Sequence, residues 1–370
     1  MEAKPTQRLL TGRPGHRFWN MRKLGHWALG IGFSAALLYL ALRGNNITHI
    51  VQSLGKTNLA QVIVAVLFLF LSFWVRAWRW RYLLLSLKPV PIMPLFRYTM
   101  IGFMGNYLLP LHAGEVVRAV SIAKSQNISR SSALGSIALE RVLDGITLSI
   151  IIFPLIAVLD LPTWLARLNG MFFGVCVVGL AVVTLSALRG CTDTWLKWLL
   201  RFLPQRVASR LDWTADLFFQ GMVGLNRLGV LLPVSFLSLL CWSLHGMYYF
   251  LLFEALDLNL SFRAALVLQA VIGIGVILPA GPGYVGNFEY ATVLGLALFG
   301  IAKEEAFGYS LLAHSFQFFP VVFVGLLFAF RGGFWRRVEP EENEVLSPAS
   351  RSSTAEVEMS LGPNRVLDRS

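Results

Sequence analysis

Charge is what this chain has least of: Asp, Glu, Lys and Arg together make up 14% of its 370 residues. An ordinary soluble domain carries about 25%. Acids are the scarcer sign, 20 against 32 basic residues. Cysteine is nearly missing too. Cys176, Cys191 and Cys241 fall on or beside apolar segments with no CxxC spacing, so they read as buried thiols without redox or metal chemistry. Zinc-ligand spacings, a Walker loop, a GxSxG elbow and a dinucleotide fingerprint are all missing, and no cofactor or metal is expected.

The net charge of +12 first suggests an anionic partner. Between Gly332 and Ser370, however, five Arg face seven acids, so the basic excess lies in the apolar part. There Lys and Arg sit mostly in short polar connections, as the positive-inside rule requires. Nucleic acid is excluded as the explanation.

What the chain has in excess is hydrocarbon. Hydrophobic residues make up 56%, and apolar runs recur from Trp27 to Phe330. Mean hydropathy is +0.63. A bilayer core of about 30 Å needs roughly 20 apolar residues per helix. The expected fold is an all-α polytopic membrane protein.

The charges then set its topology. Residues 1–23 form a basic N-terminus (Arg13, Arg17, Arg22, Lys23) that belongs in the cytoplasm. No small-residue cleavage site follows the apolar run Trp27 to Leu42, which reads as an uncleaved first span. Arg43 to Asn58 is polar with little basic charge and suits the outside. Span 2, Leu59 to Val75, returns and ends at Arg76, Arg79, Arg81 and Lys88. Span 3, Ser132 to Leu159, goes out; span 4, Asn169 to Leu188, comes back to Arg189, Lys197, Arg201, Arg206 and Arg210. Trp195 to Leu225 mixes aromatic residues with those cations and reads as an interfacial amphipathic segment, about 194–226. Span 5, Leu231 to Leu256, goes out, and span 6, Ala306 to Phe330, ends inside at Arg331, Arg336 and Arg337. Residues 24–331 thus make the transmembrane domain. Residues 332–370, rich in Glu, Ser and Pro, read as a disordered cytoplasmic tail.

Two apolar segments do not fit a simple stack. Tyr98 to Ala113 is short, holds Gly102, Gly105, Asn106 and Pro110, and has basic residues on both flanks. It therefore enters and leaves on one face, as a hairpin broken near Pro110 and followed by Gly114. Ala264 to Ile301 is interrupted by Pro279, Gly281, Pro282, Gly283 and Gly286, and both its ends lie outside. The sidedness also allows two full-depth helices there. Broken backbone at membrane depth is tolerated where it is buried in protein or lines a cavity. Six spans with two oppositely entering hairpins make inverted repeats, a transporter architecture.

Span 3 carries Glu140, Arg141 and Asp144. On a helix starting near Ser132, Glu140 lies roughly 12 Å along, close to mid-bilayer. Glu140 and Asp144 are four apart and share a face, while Arg141 and Asp144 can pair. Charges at that depth must face protein. They read equally as a structural salt-bridge cluster and as a substrate or proton site. Glu115 and Arg118 follow the first hairpin and read either as a phosphate site or as a surface pair. Glu289, with Asn287 beside it, reads as their counterpart or as a cap. Arg76, Arg79 and Arg81 interleave with Trp78, Trp80 and Tyr82. That pattern favours an interfacial anchor, with a cationic mouth for phosphate as the alternative. His314 and Gln317 in span 6 read as packing residues, and His112 as a group that titrates near neutrality.

Arg79-Trp80, GNYLLPLHAGEVVR (Gly105 to Arg118), ALERVLD (Ala138 to Asp144) and LPAGPGYVGNFE (Leu278 to Glu289) together resemble the lysylphosphatidylglycerol synthase transmembrane-region family. The resemblance runs from about Leu24 to Phe330. It implies a flippase-like bacterial or archaeal membrane protein that moves lipid between leaflets. The chain departs from the family at His112 and His314, where Arg is usual, which bears on headgroup charge. The stretch after Arg337 is too short and polar for the soluble synthase domain, so synthase activity is not expected.

The expected function is a flippase for a lipid with an anionic headgroup in the bacterial cytoplasmic membrane. Arg79, Arg118 and Arg141 would neutralise phosphate, and Asn106, Glu115, Glu140, Asp144 and Glu289 would complete the site. The competing readings are a membrane-embedded transferase using Glu140 or Asp144 as base, and a non-transporting partner of lipid- or glycan-biosynthesis enzymes.

Overall fold

In a bilayer every backbone N–H and C=O needs a partner within the protein, so apolar runs of this length become helices. The computed structural model describes residues 31–45, 47–109, 112–189, 218–219, 221, 228–278 and 280–331, and among these no strand forms. The helices are α1 (Ile31–Leu42), α2 (Ile47–Gly55), α3 (Leu59–Leu84), α4 (Ile92–Leu108), α5 (Ala113–Gln126), α6 (Arg130–Val158), α7 (Thr163–Arg189), α8 (Leu228–Ala255), α9 (Phe262–Ile277), α10 (Asn287–Ala297) and α11 (Lys303–Arg331). The chain divides into two units, Met1–Phe328 and Ala329–Ser370. The elements named lie in the first, apart from the end of α11.

Five helices, α3, α6, α7, α8 and α11, are long and apolar enough to cross a membrane. The 26 residues of α3 span about 39 Å at the α-helical rise. The protein is an all-α polytopic membrane protein. Of the expected first span the described part is α1; its start, the basic N-terminus, the interfacial segment apart from Phe218, Phe219 and Gly221, and the tail from 332 onward lie outside the described residues. Large apolar side chains such as Met171 (70% exposed) and Val175 (71%) face outward, toward lipid.

Polar caps set the helix starts. Asn58 accepts from the backbone N–H groups of Ala60 and Gln61 at the head of α3. Ser129 does the same for Ser132 in α6, and Ser261 for Ala264 in α9. Each serves N–H groups that a first turn leaves unpaired.

The order long helix, broken pair, long helix occurs twice, as α3–α6 and α8–α11. The leading helices of the two repeats pack against each other and run antiparallel. The Asn58 N–H donates to the Ala255 carbonyl at 3.0 Å, the Cys241 thiol to the Ser72 carbonyl at 3.5 Å, and Arg79 Nη1 to Ser238 Oγ at 3.0 Å. Position along α8 falls as position along α3 rises, so the repeats are inverted. Leu69, Phe73, Tyr248, Leu252 and Phe253 bury their side chains in the core between them.

Two boundaries differ from the sequence expectation, for one reason. Span 2 does not end at Val75; α3 continues through Arg76, Arg79 and Arg81 to Leu84. The first hairpin is not Tyr98 to Ala113, because its second arm, α5, runs on past Glu115 and Arg118 to Gln126. In both places a charge that reads as an exit from the membrane is paired inside the protein instead.

The broken pairs meet at their tips. Tyr107, in the last turn of α4, stacks edge-on against Tyr284 with ring centroids 5.7 Å apart. Tyr284 sits in the short 3-10 turn Pro282–Tyr284 between α9 and α10. Gln317 of α11 donates to the Tyr107 hydroxyl at 2.8 Å and accepts from the Tyr249 hydroxyl at 3.1 Å. Pro110 and Pro279 lie outside the described residues; the turns are seen in their neighbours. His112 is left-handed at φ 55°, and Gly283 and Gly286 have φ of 75° and 89°.

Candidate functional site

The two carboxylates on α6 gather the arginines. Glu140 and Asp144 lie one turn apart on its buried face, and α3 presents Arg76 and Arg79, three residues apart, toward them. Arg76 Nη1 lies 2.8 Å from Asp144 Oδ2 and 3.3 Å from Glu140 Oε1. Arg79 reaches Asp144 at 2.7 Å and Glu140 at 3.4 Å. From α5, Arg118 Nη2 meets Glu140 Oε2 at 3.1 Å. From α6 itself, Arg141 lies 3.2 Å from Glu140 and 3.3 Å from Asp144. Four cations thus converge on two carboxylates. Glu140, Arg79 and Arg118 are all but sealed from solvent.

Aromatic rings close the cluster. The Arg118 guanidinium lies 3.7 Å from the centroid of Trp80, and Arg76 lies 5.2 Å from that of Trp242. Trp242 also donates through Nε1 to Asp144 Oδ1 at 3.0 Å. Ring faces are negative and add attraction for cations removed from water. Unpaired charges at this depth would cost several kcal/mol each, and the cluster leaves none of these unpaired.

One ion pair stands apart. Arg141 Nε lies 3.0 Å from Glu115 Oε1, and these two side chains keep 37% and 23% of their exposure. Both face a cavity of about 160 Å³ between the hairpin tips, whose wall also includes Arg76, Asn106, Tyr107, Trp242, Gln269 and Tyr284. Of the two cluster cations on that wall, Arg141 is the exposed one, at 37% against 5% for the Arg76 side chain.

Glu289 serves the second tip. Its Oε2 accepts the Gly286 backbone N–H at 2.5 Å, satisfying a donor at the head of α10. Its Oε1 lies 2.5 Å from His314 Nδ1, while His314 Nε2 meets the Gly283 carbonyl at 2.7 Å. A carbonyl only accepts, so Nε2 carries a hydrogen. The His314 ring stacks on Phe288 at 4.5 Å. Ser34 of α1 braces the same tip, accepting from the Gly281 N–H at 2.8 Å.

The structure therefore splits the sequence-derived candidates in two. Arg79, Arg118, Glu140, Arg141 and Asp144 come together, with Glu115 at the edge through Arg141 and Asn106 on the cavity wall. Glu289 lies with His314 at the second tip and has no ion pair to the cluster among the described residues. Glu115 and Arg118, three apart on α5, do not pair with each other; each takes a partner on α6. Gly114 and Gly286 sit where backbones touch, and Gly281, Pro282 and Gly283 form the second turn. The interfacial-anchor expectation for Arg76 and Arg79 is corrected: both are buried ion-pair partners. Sequence reasoning missed Trp242 and Gln269 across the cavity, and it left out of the site residues Arg76, which it read as part of an anchor or a cationic mouth. The signal for Arg76 was the three-residue spacing from Arg79, which matches the four-residue spacing of Glu140 and Asp144. Among the described residues no three His, Cys, Asp or Glu side chains converge as metal ligands would.

The family model described as "Lysylphosphatidylglycerol synthase TM region" matches residues 27–325. A UPF0104 membrane protein of Methanocaldococcus jannaschii is 24% identical over 226 residues, covering 60% of this chain and 91% of the relative. Another, of Methanothermobacter thermautotrophicus, is 25% identical over 277 residues, covering 69% and 78%. No solved structure gives a significant match.

Proposed function

Because the chain belongs to the lysylphosphatidylglycerol synthase transmembrane-region family, we propose that it is a flippase, moving a lipid with a phosphate-bearing headgroup across the bacterial cytoplasmic membrane. The observation that carries this reading is the cavity between the tips of two inverted broken-helix pairs, with Arg141 exposed on its wall. Broken helices of inverted repeats that meet at mid-depth suit alternating access. The headgroup phosphate lies against Arg141, while its tails stay in lipid.

The other charges act through Arg141. Glu140 and Asp144 fix its guanidinium from one side, and Arg76, Arg79 and Arg118 balance those two carboxylates. Glu289 and His314 tie the second tip together. Both termini lie on the cytoplasmic side, set by the basic residues before Trp27 and after Phe330. Partner enzymes of lipid or glycan biosynthesis would supply or consume the lipid.

Reconstitution into liposomes with tail-labelled fluorescent phospholipids tests the reading. The wild-type chain should equilibrate label between leaflets, and Arg141→Ala should slow this at least tenfold. Unchanged leaflet distribution over a broad lipid panel would sink it, and a new lipid species in the mass spectrum would replace it with the transferase.

A further inference from the structure

The cavity already contains an ion pair, and this constrains what can enter. Arg141 and Glu115 are each other's partner at the wall, 3.0 Å apart. Arg141 keeps Glu140 and Asp144 if that contact opens. Glu115 has no second ion-pair partner among the described residues. A phosphate that takes Arg141 strips Glu115 of its ion-pair partner, and that carboxylate keeps only 23% of its exposure to water. A phosphate alone therefore satisfies Arg141 at the expense of Glu115. A ligand that brings its own cation restores both pairs.

Independent evidence comes from two amide oxygens. Asn106 Oδ1 and Gln269 Oε1 are buried and accept no hydrogen bond from the protein, although Asn106 is only 9% exposed and Gln269 2%. Both residues line the same cavity. The Gln269 amide is oriented by its other end, since Nε2 donates to the Trp242 carbonyl at 3.2 Å. Buried acceptors without donors are rare in native proteins. With Glu115 they give the lining of this cavity three acceptor groups, suited to N–H donors.

We infer that the cavity selects a zwitterionic headgroup, a phosphate for Arg141 and a primary ammonium, a few bonds away, for Glu115, Asn106 and Gln269. The inference rests on the transport reading above and narrows its substrate. A phosphoethanolamine-type headgroup has the right charges and N–H donors. A phosphocholine group has the charge without the donors, and a phosphoglycerol group has donors without the cation.

The test compares three tail-labelled lipids with these headgroups in proteoliposomes of the full wild-type chain. Phosphoethanolamine should move at least tenfold faster than phosphoglycerol, with phosphocholine slower than phosphoethanolamine. Equal rates, or a faster phosphoglycerol lipid, overturn the inference while leaving transport standing. If none of the lipids moves, transport itself fails. Retention of the same lipids by the purified protein in native mass spectrometry then decides the headgroup. Preferred retention of phosphoethanolamine supports the inference, and equal retention overturns it. Glu115→Gln should bring the phosphoethanolamine-to-phosphoglycerol ratio near parity, and an unchanged ratio overturns the role of Glu115. Should that variant misfold, the wild-type comparison still decides.

Discussion

Glu140 is touched by all four arginines of the cluster, and for Arg118 it is the only ion-pair partner among the described residues. Replacing it by Gln leaves the buried Arg118 without a counter-charge and the other three arginines sharing Asp144. Such a loss costs about 3–5 kcal/mol in a protein interior. Glu140→Gln should therefore lower the thermal midpoint in detergent far more than Arg141→Ala, whose side chain keeps 37% of its exposure. Equal midpoints for the two variants would show that burial does not rank these charges. The carboxylates were legible in the sequence, because two acids four apart inside an apolar helix have to face protein. Arg76 and Arg79 were not. An arginine after an apolar run looks the same whether it leaves the bilayer or turns inward. The deciding partner lies 64 to 68 residues further on.

The hairpin arms are held by backbone contact. A Cβ at Gly114 would collide with the Gly102 carbonyl oxygen and the Asn106 amide nitrogen, and one at Gly105 would lie 2.8 Å from Gly114 Cα. Small residues let helices approach this closely in membranes. Gly114→Ala must push α4 from α5, at about 1–3 kcal/mol for overpacking, and it displaces Asn106 from the cavity wall. Gly174→Ala on α7 meets nothing within 4 Å and should be neutral in the same thermal assay. A Gly114→Ala midpoint matching that control would refute the close approach. Proline and glycine announced both breaks in the sequence, since they interrupt apolar runs too short to be spans. The length of α5 was hidden because its 14 residues mix polar and apolar faces. Hydropathy scores such a helix as a connection, although Ile122 and Ala119 are buried.

Positive-inside charge alone placed the two broken segments on opposite faces, and the antiparallel packing of α3 on α8 supplies the symmetry behind that pattern. Charge has no information about the meeting of the tips, which depends on Tyr107, Tyr284 and Gln317. With the native cysteines replaced, Tyr107→Cys and Tyr284→Cys should cross-link with a short bis-maleimide. The cross-linked protein should lose lipid movement. Movement that persists after complete cross-linking would mean that the tips do not separate during transport. The arginine cluster also imposes an order on the making of the protein. Arg79 leaves the ribosome 65 residues before Asp144, the carboxylate it meets at 2.7 Å. At the usual pace of synthesis that gap lasts roughly 3–13 s. During it Arg76 and Arg79 on α3 lack the carboxylates they need within hydrocarbon, so the far end of α3 waits at the water boundary. The arrival of α6 then draws it in, and a late-inserting partner completes a helix that was synthesised well before it.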